Sequence, residues 1–178
     1  VTDGFAADGY LALAPALFDR VEPGYETGYA PDDVDRGRAV RQKLSFDVMV
    51  MDVRAAVAEL RKTGLRVGVV GYCMGGTMAW LSATRIDGVA AAVGYYGGGI
   101  ADTATERPRC PVLLHFGETD TAIPAEHWER IRKAHPTLPL HVYPAGHGFS
   151  CDERESFHEP SHRLARERTI AFLRQHVG

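Results

Sequence analysis

The apolar positions of this chain fall into short runs separated by polar, glycine-rich or helix-periodic stretches. Tyr10-Leu-Ala-Leu-Ala-Pro15 is an unbroken apolar run closed by proline, which predicts a strand buried on both faces. Residues 1–7 ahead of it read as the end of a helix. Between Phe18 and Val34 the Gly, Pro, Asp and Tyr content predicts a long loop, of the kind that often borders a functional site. From Asp35 to Leu60 the apolar residues Leu44, Val48, Met51, Ala55 and Ala58 recur at helical spacing, predicting one or two helices stopped by Gly64. Residues 65–71 then form the clearest strand signal, followed by a helix over 75–84. Three more short strands are expected at 89–95, 112–116 and 140–143, with helices at 124–134 and 161–176. Strand, turn and helix alternate, which predicts an α/β architecture: a mostly parallel sheet between two layers of helices.

The composition narrows the partner. With 178 residues, 45% of them hydrophobic and 24% charged, the chain lies in the range of one domain, taken as residues 1–178, with a sizeable core. A formal charge of −3 gives no electrostatic reason to expect nucleic acid or an anionic membrane. No apolar run approaches the roughly 20 residues of a membrane span, and the first residues lack a basic start before an apolar stretch. A cytoplasmic protein with a small-molecule partner is the expectation, monomeric by default, with a dimer as the alternative. The three cysteines, Cys73, Cys110 and Cys151, are too few and too odd in number for a disulfide framework.

The candidate chemistry starts at the join between the clearest strand and its helix, Gly71-Tyr-Cys-Met-Gly75. G-x-C-x-G between a buried strand and a helix reads as a nucleophile elbow. The turn is so tight that Gly71 and Gly75 are expected to be forced, with Gly76 adding clearance. Cys73 would stand strained above the sheet edge. The amide of Met74, at the helix N-terminus, is placed to lower the thiol pKa and to donate to an oxyanion. A buried, inert cysteine is the plain alternative. A thiol nucleophile needs a base and an acid, and in this architecture both follow later in the chain, each on a loop beyond a strand. Asp120 in Gly117-Glu-Thr-Asp120 and His147 in Gly146-His-Gly148 occupy such loops. The order Cys, Asp, His is that of the α/β-hydrolases.

Gly71-Tyr-Cys-Met-Gly-Gly76, Gly94-Tyr-Tyr-Gly97, Gly117-Glu-Thr-Asp120 with Ile123-Pro124, Gly146-His-Gly-Phe149 and Glu167-Arg-Thr-Ile-Ala-Phe172 together resemble the successive blocks of the dienelactone hydrolase family. The likeness covers nearly the whole chain. It implies the three-layer α/β-hydrolase fold and hydrolysis of a lactone, as in bacterial breakdown of catechols and chlorocatechols, or of a related ester. It implies Cys73 as nucleophile, His147 as base and Asp120 as the residue orienting it, with no cofactor or metal. It also implies a carboxylate-bearing substrate held by an arginine, for which Arg36 stands at the matching place; a solvated helix arginine is the alternative. A second arginine expected shortly after the histidine is replaced by Cys151, which leaves room for a different ester. In the family, a strand and loop ahead of this chain's first residue supply a Glu and the second oxyanion amide, so the chain is expected to be N-terminally truncated. Weak turnover is the corresponding expectation, since one oxyanion donor is worth roughly 10²- to 10³-fold.

Other motifs compete. A general carboxylesterase or thioesterase of the same fold is the nearest rival, and a redox-sensing or binding protein using Cys73 is a rival of another class. His158-Glu-Pro-Ser-His162 matches a zinc motif in letters, but Pro160 fits a helix start better than the unbroken helix that motif needs. Cys110 reads as a packing residue, and the scattered histidines His115, His127, His135 and His141 as solvated or hydrogen-bonded structural residues. Tyr95 and Tyr96 follow a strand on the catalytic side, with Tyr96 the better candidate to face substrate and core packing the alternative.

Overall fold

The computed structural model describes residues Val1–Gly178. The chain divides into two compact units, Val1–Leu65 and Arg66–Gly178.

The first unit is helical. It holds α1 (Thr2–Ala7), a 3₁₀ turn (Leu17–Arg20), α2 (Pro31–Gln42) and α3 (Phe46–Arg61). Pro31 opens α2 at a first-turn position, where its missing N–H costs nothing, so the helix begins four residues ahead of the expected Asp35. Ser45 caps α3 by accepting from the Val48 N–H at 3.3 Å. The predicted helix over this stretch is present, but its face is not the expected one. Met49, Val50, Val53 and Val57 are buried, whereas Met51 is 56% exposed; the valines, not the alanines, mark the buried stripe. Arg20 donates to both carboxylate oxygens of Asp52.

The predicted strand at Tyr10–Pro15 does not form. These residues have no regular structure, and Leu11 and Leu13 stand 60% and 44% exposed. An apolar run becomes a strand only where a ladder partner takes up its N–H and C=O groups, and the single sheet consists of other strands.

That sheet lies in the second unit: β1 (Val67–Tyr72), β2 (Val89–Tyr95), β3 (Val112–Gly117) and β4 (Leu140–Tyr143), in the order β1-β2-β3-β4 and parallel throughout. Three helices belong to this unit: α4 (Met74–Arg85), α5 (Ala125–Ala134) and α6 (Glu159–His176). A side chain added at Gly94 would meet α4 at Gly76, while the next residue, Tyr95, bonds Thr169 of α6. Neighbouring residues of a strand point to opposite faces, so α4 and α6 cover the two sides of the sheet. The core between the layers includes Met78, Trp80, Leu81, Val93, Leu114, Phe116 and Phe149, all 2% exposed or less. Parallel strands leave their C-terminal ends along one edge, and the loops after β1, β3 and β4 emerge there. No helix is long and apolar enough to cross a membrane.

Candidate active site

Cys73 joins β1 to α4 with φ 54° and ψ −115°, a conformation that a non-glycine residue holds only where its surroundings enforce it. Enforcement comes from the backbone. The Cys73 N–H donates to the Tyr95 carbonyl at 3.0 Å, and the Cys73 carbonyl accepts from Gly76 at 2.9 Å. A Cβ at Gly71 would run into the Gly75 carbonyl, and one at Gly76 into the Tyr95 carbonyl, whereas the Cβ position of Gly75 is open. The forced glycines are thus 71 and 76. Gly75 is not the one the turn requires, because the helix has already begun at Met74 and carries that position outward.

The acid and base arrive on two loops that are stitched together. Beyond β3, Glu118 donates to the Tyr143 carbonyl at 2.7 Å and Thr119 to the Ala145 carbonyl at 3.1 Å, which binds the loop carrying Asp120 to the one carrying His147. Asp120 Oδ1 accepts from the Ala122 and Ile123 amides at 2.8 and 3.1 Å, leaving Oδ2 for His147 Nδ1 at 2.7 Å. The carboxylate is fully covered and the imidazole 26% exposed. His147 Nε2 lies 3.1 Å from Cys73 Sγ. The structure thus brings together Cys73, His147 and Asp120, which are separated by up to 74 positions in sequence.

Electrostatics follow from this line of contacts. The hydrogen bond to Asp120 comes first among the causes that raise His147 to a pKa of about 9, with the Cys73 contact second and burial opposing. At Cys73 burial pushes the thiol up, but the His147 hydrogen bond and charge, the Met74 amide and the charge of Arg154 outweigh it, and the thiol falls below its ordinary value. Burial likewise works to raise Asp120, and the His147 bond and two backbone amides bring it below the usual carboxylate value. A sulfur made more acidic beside an imidazole made more basic favours a thiolate–imidazolium pair.

The remaining expected residues divide. The Met74 amide, the first of α4, interacts with the Cys73 sulfur. Tyr96 is 2% exposed, with φ 36° and its ring 5.1 Å from the His147 ring and 5.3 Å from Phe149; it forms a wall behind the imidazole rather than an open contact surface. Arg36 belongs to the first unit, where it donates to Glu22 at 2.7 Å and lies over the Tyr25 ring. Arg154, whose charge acts on the Cys73 sulfur, escaped the sequence reading because the arginine was sought at the position of Cys151; a cation three residues further on has no local signature. Pro160 stands in the first turn of α6 with His158 outside it as the cap, so the two histidines of the zinc-like motif do not share a helical face. No group of three or more His, Cys, Asp or Glu side chains is arranged to hold a metal ion.

Several known proteins are similar to this chain. The chain is 36% identical to the carboxymethylenebutenolidase of Pseudomonas putida over 178 residues, covering 93% of this chain and 74% of that protein. It is 34% identical to that of Pseudomonas sp. strain P51, covering 96% and 75%. Among solved structures, a protein of Klebsiella pneumoniae provisionally designated a dienelactone hydrolase superposes with a TM-score of 0.83 at 29% identity, over 97% of this chain and 78% of that one. An esterase from Pyrococcus furiosus, at 19% identity and a TM-score of 0.59 over 74% and 63% of the two chains, shares the α/β-hydrolase fold. The profile of the dienelactone hydrolase family matches residues 1–177, and the chain belongs to that family.

Proposed function

We propose that this hydrolase cleaves a lactone or activated carboxylic ester through a Cys73–His147–Asp120 triad and a thioester intermediate. The observation that carries the reading is the continuous relay from Asp120 Oδ2 to His147 to Cys73 Sγ at 2.7 and 3.1 Å, built on a strained elbow that has no other evident purpose.

The Cys73 thiolate attacks the substrate carbonyl, and the oxygen that gains charge takes the Met74 N–H. As the tetrahedral intermediate collapses, the C–O bond to the leaving group breaks and the imidazolium of His147 gives that oxygen its proton. In a lactone the leaving group remains attached as an alcohol or enol. Water, deprotonated by the now neutral His147, then attacks the thioester, releasing the acid and restoring the thiolate and imidazolium. Thiolate leaves a tetrahedral centre more readily than an amine does, so activated esters suit this site better than amides. The relatives named carboxymethylenebutenolidase support a lactone as the substrate. The charge of Arg154 at the sulfur supports an anionic group on it.

Hydrolysis of a dienelactone and of simple aryl esters by the wild type, Cys73→Ser and His147→Ala tests the reading. Each variant is expected to lose at least about 10³-fold in kcat. Unchanged ester hydrolysis in either one would sink it.

A further inference from the structure

Directly beneath the catalytic edge, the four strands carry a row of rings in register. Tyr72 pairs with Tyr95 across β1 and β2, Tyr95 with His115 across β2 and β3, and His115 with His141 across β3 and β4. The ring centroids are 4.5, 4.4 and 5.9 Å apart along this row. A register-matched row is the sheet's cross-strand pairing extended over all four strands. Parallel sheets ordinarily fill such rows with aliphatic side chains, so the polar rings call for another reason.

His115 lies at the centre of the row, with no solvent exposure, and both its nitrogens are engaged. Nδ1 is 2.8 Å from the Tyr143 hydroxyl and Nε2 is 3.1 Å from the Thr169 hydroxyl. Arg168 donates to the Tyr143 hydroxyl at 3.0 Å, and arginine can only donate. With Arg168 donating to the Tyr143 oxygen, a Tyr143 proton directed at Nδ1 satisfies both groups, and this arrangement favours the tautomer with the His115 hydrogen on Nε2, facing Thr169. The Thr169 hydroxyl in turn lies 2.6 Å from that of Tyr95. The chain runs Arg168, Tyr143, His115, Thr169, Tyr95, with a neutral imidazole of one tautomer at its middle. Burial first, then the charges of His141 and Arg168, hold His115 well below the ordinary histidine value, which keeps the ring uncharged at neutral pH.

Two backbone bonds connect this layer to the site above. Tyr95 accepts the Cys73 N–H through its carbonyl, and His115 accepts the Tyr96 N–H at 2.7 Å through its own. Cys73 and Tyr96 are the two non-glycine residues of the chain with positive φ, and the Tyr96 ring is the wall behind His147. The strained residues on both sides of the sulfur–imidazole contact are thus held from the layer below.

We propose that His115 is a positioning residue, which through its bonds to Tyr143 and Thr169 locks the ring row and so fixes the distance between Cys73 Sγ and His147 Nε2. The inference rests on Cys73 and His147 forming the working pair, but its test does not depend on ester hydrolysis. His115→Phe keeps a ring and removes both hydrogen bonds, and Thr169→Val removes the hydroxyl shared by His115 and Tyr95 with little change in volume.

The experiment follows alkylation of Cys73 by iodoacetamide against pH, alongside kcat and KM on an aryl ester. The groups facing the sulfur are His147, Arg154, the Met74 amide and Tyr96, and none of them is altered. A loosened contact predicts an upward move of the alkylation midpoint in both variants, with kcat down by about 10- to 100-fold and KM within about twofold. If the midpoint stays at the wild-type value, the row is packing alone and the proposal fails, whatever happens to kcat or to thermal stability. Should His115→Phe not fold, Thr169→Val decides by the same readout. Loss of hydrolysis in the wild type with an intact alkylation shift would count against the proposed reaction and not against the positioning role.

Discussion

His147 and His115 stand at two levels of the same sheet and are driven in opposite directions. The loop histidine has a carboxylate on one nitrogen and a sulfur on the other, and its pKa rises to about 9. The strand histidine has neutral hydroxyls on both nitrogens and Arg168 nearby, and it is held well below the ordinary value. His115 is buried and His147 partly covered, yet the direction of each shift is set by the charge of the partners. Burial disfavours the imidazolium in each case, and only a partner able to carry negative charge reverses it. One ring is thereby suited to hold and pass on a proton, the other to keep a fixed tautomer.

The largest expected effect comes from removing the carboxylate that makes the first ring different. Asp120→Asn replaces an acceptor at Nδ1 by an amide that favours the opposite tautomer, with the hydrogen on Nε2 facing the sulfur. A fall of about 10³- to 10⁴-fold in kcat is expected. By NMR titration His147 should drop from about 9 toward its ordinary range. A variant retaining both the rate and the raised pKa would show that the sulfur, and not Asp120, sets the imidazole's basicity.

A smaller effect should appear in the pH dependence of thermal stability. His115 is neutral when folded and binds a proton only when unfolded, so its contribution is lost as pH falls below about 6.5, with a slope of at most about 1.4 kcal/mol per pH unit. His115→Phe should flatten that acid limb. At His147 the sign is reversed: the raised pKa stabilises in full below about 6.5 and the benefit fades as pH rises through about 9. The lowered thiol acts against this loss, since it has already released its proton in the folded state over part of the same range. The pair passes a proton internally, and the wild type should show a shallow alkaline limb. Cys73→Ala removes the opposing partner, so its melting temperature should decline more steeply between about pH 7 and 9 than that of the wild type. Equal slopes would mean that the pair is not ionised together.

The smallest effect is expected at Arg168, whose charge acts on both His115 and His141. In Arg168→Met the half-buried His141 should titrate upward, toward the ordinary histidine value, when followed by NMR. An unmoved His141 would assign its depression to burial and the charge of Arg132.

How much of this the chain discloses in one dimension depends on whether a feature is local. The strands at 89–95 and 140–143 agree residue for residue with those observed, because an apolar run between turn signals is a local pattern. The elbow was legible for the same reason, down to Cys73 as its apex. Its forced glycines were partly misread, since the neighbour that excludes a side chain at Gly76 is the Tyr95 carbonyl of another strand. The Tyr10–Pro15 run failed as a strand because hydrophobicity says nothing about whether a ladder partner exists. The buried face of α3 was misjudged because alanine and valine both count as apolar while only Met49, Val50, Val53 and Val57 are buried. His115 was legible only as a solvated or hydrogen-bonded structural residue; its partners lie 28 and 54 residues away and acquire meaning only when the strand register is known. Arg154 was invisible for want of any spacing rule.

The simple strand order carries a consequence for the chain as it emerges from synthesis. Each strand joins the sheet beside the one made just before it, so β1, with the sulfur at its end, is completed first, while the imidazole follows β4, 74 residues later. Until that last strand docks, the sulfur has no proton acceptor beside it and keeps the acidity of any cysteine. The reactive thiolate is therefore a product of completed folding, formed only once His147 stands beside the sulfur.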